Sequence, residues 1–116
     1  IYPQGNFICA TKDTPFFQIG ESKYGKPILD RALTYDMPLD EAVRCSLISF
    51  DSTLRSNVSV GMPLDVLVYR VNSLKIPHGK RITQDDPYYQ KISKQWSETL
   101  RRGLHEIPKP SEDYLL

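Results

Sequence analysis

The sequence predicts an α+β fold, an antiparallel sheet with its helices segregated to one face. Short apolar segments punctuated by turn residues come first, two helical patterns follow, then strand-like segments, then a last helical pattern. Apolar residues recur three and four positions apart over 39–54 and again over 86–104, the spacing of a packed helix. Between those stripes, Val66 to Tyr69 is apolar at every position, which predicts a strand covered on both faces.

In order, Ile1-Tyr2 and Phe7 to Ala10 read as two strands around a Pro3-Gln4-Gly5-Asn6 turn. Lys12 to Pro15 is a second turn, and Phe16 to Ile19 a short third strand ended by Gly20. Glu21 to Thr34 reads as a helix with Tyr24, Ile28, Leu29, Ala32 and Leu33 inward. Gly25 weakens its first turns and allows another backbone to come close. Pro38 suits the start of the next helix, Leu39 to Leu54, where Asp40 and Glu41 complement the helix dipole. Leu39, Ala42, Val43, Leu47, Phe50 and Leu54 form its stripe. Arg55 to Pro63 breaks the pattern as a polar loop before the strand Leu64 to Tyr69. Read from pattern alone, that loop is either a plain connection or the place where chemistry sits on a rigid frame. Asn72-Ser73 turns into a return strand, Leu74 to Ile76, and Pro77 to Lys80 turns again. Asp86 caps the last helix and Pro87 opens it, with Tyr89, Ile92, Trp96, Leu100 and Leu104 on its inner face. The domain spans 1–110, and 111–116 is a tail.

The chain has 116 residues, one small domain, and a net charge of +1. So weak a field does not argue for nucleic acid or an anionic membrane as partner. No apolar run approaches the roughly 20 residues that cross a bilayer, and no signal peptide is visible. Cys9 and Cys45 read as buried, reduced thiols rather than a disulfide, in keeping with the cytoplasm. His78 and His105 lie far apart and suggest no metal site, and no cofactor motif is present. Neither a Ser-His-Asp nor a Cys-His pattern appears. Acidic residues dilute the basic face of the last helix, and the tyrosines read as core, so a solvated face outweighs a nucleic-acid patch. Asn57-Val58-Ser59 matches a glycosylation sequon, with nothing else to imply secretion. The chain opens at Ile1 inside a strand-like segment, and its inner strand has too little chain to cover both faces. Both features are expected of part of a longer protein.

Tyr2 to Phe7, Tyr35 to Ala42, and Arg55 to Ser59 leading into Asp65 to Tyr69 resemble the C-terminal half of a proteasome β-type subunit. Thr14 to Leu29 and Ser49 to Asp65 are similar to the bacterial proteasome-related family called Anbu. The resemblance runs to about Arg102. It implies an αββα sandwich of the N-terminal nucleophile hydrolase type, of which this chain is the C-terminal half. It also implies a processed N-terminal Thr as nucleophile and base, with an Asp and a Lys, all in the other half. In proteasome β subunits, an Asp, two residues, then Ser and Gly follow the long helix and hydrogen-bond near the Thr amine. Ser59 matches that Ser. Ser56 stands at the Asp position and removes its charge, and Val60 intervenes before Gly61. Glu21 stands where such subunits usually carry Ser. Ser59, Ser56 and Glu21 are therefore the candidate supporting residues. The implied partners are the missing half, identical subunits in a homo-oligomer, and a peptide substrate. A non-catalytic assembly module is the competing function.

Overall fold

A computed structural model describes residues 5, 9–17, 25–57 and 60–115. Among these residues three helices, α1 (Lys26–Ala32), α2 (Leu39–Ser56) and α3 (Pro87–Glu106), accompany two strands, β1 (Leu64–Val66) and β2 (Lys80–Ile82). A 3₁₀ turn at Glu112–Leu115 stands in the exposed tail. The strands pair antiparallel with Leu64 opposite Ile82 and Asp65 opposite Arg81. Alternation along the pleat sends Leu64 and Ile82 into the core beneath α2 and α3. On the other face Arg81 grips Asp65 through two bonds, Nε to Oδ1 at 2.9 Å and a guanidinium nitrogen to Oδ2 at 3.2 Å. That hydrogen-bonded guanidinium holds the Asp65 carboxyl below its ordinary range. The architecture is α+β, as predicted.

Leu47, Leu64, Ile82, Tyr89 and Ile92 make the core, with Val43, Ile48, Leu54, Met62 and Val66 packed around them. α3 begins where the sequence places it. Asp86 accepts from the Tyr89 amide at 3.0 Å, and Pro87 takes the first turn, where a missing N–H costs nothing. Its stripe is only half covered. Tyr89 and Ile92 are buried, whereas Leu100 and Leu104 are 54% and 71% exposed. The other tyrosines among the described residues, expected in the core, are also open: Tyr35, Tyr69, Tyr88 and Tyr114 are each at least half exposed.

The strands differ most from expectation. β1 stops at Val66 instead of reaching Tyr69, and residues 74–76 form no return strand. Asn72 and Leu74 take positive φ values of 58° and 54°, which no extended strand can accommodate. Pairing therefore moves past this turn to Lys80–Ile82, which begins at the last residue of the stretch read as a turn. Leu67, Tyr69, Val71, Leu74 and Ile76 are left exposed, so the run is not covered on both faces among the described residues. Phe16 and Phe17 are not in a strand, while the rest of that predicted strand and most of the first hairpin lie outside the described residues. Gly5, in the predicted turn, has φ of 81°, the left-handed region that favours glycine. Cys9 is exposed, not buried. Cys45 is buried, and desolvation pushes its thiol above the ordinary value, which keeps it protonated and unreactive.

α1 begins at Lys26, later than expected, and the first part of the predicted helix lies outside the described residues. The close approach expected at Gly25 is present. A Cβ there would fall 2.5 Å from Ser49 Oγ, 2.9 Å from Thr53 Oγ1 and 3.2 Å from the Ser49 carbonyl oxygen. α2 thus buries a second face, lined by Ser49 and Thr53, against the start of α1. These small residues leave room for the neighbouring backbone. Thr53 satisfies its hydroxyl by donating to the Ser49 carbonyl at 3.0 Å. Gly25→Ala should destabilise the protein by about 1–3 kcal/mol, the usual cost of overpacking. Ser49 Oγ can rotate away, but its carbonyl cannot. Chemical denaturation that shows Gly25→Ala at wild-type stability would mean α1 and α2 sit further apart.

Candidate functional site

α2 ends at Ser56, and the chain passes through Asn57 and residues 60–63 to β1. The Asn57 amide closes the helix on the Thr53 carbonyl at 2.8 Å, and the Val60 amide bonds back to the Asn57 carbonyl at 3.2 Å. Ser56 is exposed at the base of this loop. Ser59 and Glu21 lie outside the described residues, so of the three predicted site residues only Ser56 is placed.

A buried polar network that periodicity did not reveal lies beneath the last turns of α2. Asp51 is only 3% exposed although it carries a carboxylate. Tyr89 Oη donates to its Oδ1 at 3.0 Å, and Arg55 Nε donates to Oδ2 at 3.4 Å. A second guanidinium nitrogen of Arg55 reaches Ser93 Oγ on α3 at 3.0 Å. Burial, and then the bond to Asp51, push the Tyr89 phenol up to about 12. An open cleft of about 340 Å³ adjoins these residues, bounded by Val60, Gly61 and Met62 of the loop and by Gln84 and Gln90. The one sequence signal for Asp51 was its place in the interior of a helix, within a stretch otherwise packed. A charged residue there reads as solvent-facing unless its partners are known, and the partner that buries it, Tyr89, lies 38 positions away.

Among the described residues no group of three or more His, Cys, Asp or Glu is placed to hold a metal ion. No helix among them is long and apolar enough to cross a membrane.

No protein-family model matches the chain, and no curated protein does. Solved structures do. The helical assembly of the Anbu complex from Pseudomonas aeruginosa is 63% identical and superposes with a TM-score of 0.90, over 98% of this chain and 47% of that one. Anbu (ancestral beta-subunit) from Yersinia bercovieri is 59% identical, with a TM-score of 0.86 over 96% of this chain and 47% of that one. Anbu from Hyphomicrobium sp. strain MC1 is 56% identical, with a TM-score of 0.85 over 94% and 47%. This chain spans about half the length of the structures it matches. With such identity sustained over nearly all of its residues, the chain belongs to the Anbu family of proteasome-related proteins.

Proposed function

We propose that this chain is the C-terminal half of a threonine-type N-terminal nucleophile hydrolase, with 1–110 as its part of the domain and 111–116 as a tail. The observation that carries this reading is the 63% identity to an Anbu chain of about twice the length. The Thr hydroxyl, supplied by the other half, attacks a peptide carbonyl while its own amine takes the proton. The amide bond breaks, the amine product leaves, and water hydrolyses the ester. This chain contributes support. Ser56 at the end of α2, Ser59 three residues on, and Glu21 hold the Thr amine by hydrogen bonds. The protein works as a homo-oligomer in the cytoplasm. The helical assembly of the Pseudomonas relative and two free thiols accord with this.

Assay of the full protein on fluorogenic peptide amides and esters tests the reading. Turnover should vanish when the N-terminal Thr is replaced by Ala, and residues 1–116 alone should be silent. Turnover by this chain alone, lost on mutating one of its own residues, would overturn it. The competing reading, an assembly module without chemistry, draws on the exposed Leu100, Leu104 and Ile107 along one end of α3. An oligomer that assembles normally yet never turns over substrate would favour it.

Within the hydrolase, Ser59→Ala should lower the rate by roughly ten- to a hundredfold, the loss of one hydrogen bond to a charged group. Ser56→Ala should be milder, because the charge usual at its position is already gone. A more damaging Ser56→Ala at equal stability would show that the two positions have been exchanged.

A further inference from the structure

We propose that Asp51, Arg55, Tyr89 and Ser93 form a positioning network that fixes the last turn of α2, and the loop that leaves it, against α3. The inference rests on the reading of that loop as part of a hydrolytic site.

The apolar core already joins the two helices, through Leu47 on α2 and Ile92 on α3. A buried carboxylate is not needed for cohesion, since apolar residues of similar shape usually stabilise as well or better. What it adds is direction. Hydrogen bonds weaken steeply away from linear geometry, whereas apolar contact tolerates sliding and rotation. Asp51 receives Tyr89 from α3 on one oxygen and Arg55 from its own helix on the other. Arg55 then returns to α3 at Ser93, four residues beyond Tyr89 and one turn along the same face. The two links to α3 are thus a helical turn apart, which resists rotation of α2 about its axis as well as translation.

The position of the network matters as much as its geometry. Arg55 directly precedes Ser56, and Asn57 closes the helix one residue later. Rotation of this turn would swing the start of the loop that carries Ser59, and a misplacement of about 1 Å at a catalytic constellation costs about a hundredfold in rate. None of the four residues is thereby a catalytic residue. They act on the loop through the helix end.

Tyr89→Phe and Ser93→Ala in the full protein test this. The first removes one hydroxyl and keeps the ring in the core. The second removes only the anchor of Arg55 and leaves the Asp51–Tyr89 pair intact. Amide exchange at Asn57 and Val60 should rise by about tenfold or more in each folded variant, while amides of β1 and β2 stay at wild-type protection. On peptide substrates kcat should fall by about tenfold at unchanged KM, the pattern of lost transition-state alignment. Unchanged loop exchange and kcat in folded variants would overturn the proposal. A uniform rise in exchange across both strands would also overturn it, because the network would then be general glue. If the wild-type protein hydrolyses nothing, the hydrolase reading falls, and loop exchange alone decides the network.

Discussion

Leu47→Ala should cost the protein about 2–5 kcal/mol, a large share of the 5–15 kcal/mol that holds an ordinary domain together. Leu47 is 1% exposed, the most completely buried large side chain of the described residues. It sits at the middle of α2, where Leu64 and Ile82 from the two strands meet Tyr89 and Ile92 from α3. Truncation removes apolar area that was out of water and leaves a void bounded by three different elements. Those elements are held by other bonds, so collapse into the void is limited and the cost belongs in the upper part of the range. Denaturation in urea should show a lower midpoint with little change in slope. A loss below about 1 kcal/mol would show that α2 and the sheet can close together, contrary to the packing described.

Alkaline pH should produce the second large effect. An unfolded tyrosine titrates near 10, whereas Tyr89 in the folded protein is pushed up to about 12, by burial first and by its bond to the Asp51 carboxylate second. The folded protein therefore holds the phenol proton more tightly. Between those two values it binds more protons than the unfolded chain, so stability falls as pH rises. The contribution is complete below pH about 10 and exhausted above about 12, and its size is on the order of 2 kcal/mol. Cys45, raised by burial, acts in the same direction from a lower pH. Comparison with Tyr89→Phe separates the two. Denaturation midpoints measured from pH 9 to 12 should fall more steeply for wild type than for the variant. Parallel curves would mean that Tyr89 is not desolvated, and the buried pair with Asp51 would be lost as an explanation.

Local chemistry and periodicity were enough for much of this protein. Asp86-Pro87 announced the start of α3, because a capping carboxylate followed by a residue without an N–H suits few other places. The apolar spacing placed α2 to within two residues of its end. The need for a close approach at Gly25 was legible from a glycine in an otherwise helical stretch, though not which partner approached. The family was legible in the run from Ser49 to Asp65.

Tertiary structure alone decided the rest, for reasons that lie in long-range contact. The strand after the loop ends at Val66 because its partner is Lys80–Ile82, and nothing within the segment itself sets where pairing stops. Leu74 and Ile76 have the residue types of a strand, yet the left-handed backbone at Asn72 and Leu74 turns them out to solvent. α2 buries two faces, and only the apolar one leaves a periodic trace. Ser49, Asp51 and Thr53 are buried polar residues: Asp51 is met by Tyr89 and Arg55, Thr53 by the preceding turn, and Ser49 lies where α1 comes close at Gly25. A polar side chain is inside or outside according to whether its hydrogen bonds are met, and one of the two partners that meet those of Asp51, Tyr89, is 38 residues away. Hydrophobicity along a chain is a local quantity and can be read in order. Satisfaction of a buried charge is a property of the folded arrangement, and here it marks the helix end from which the candidate site departs.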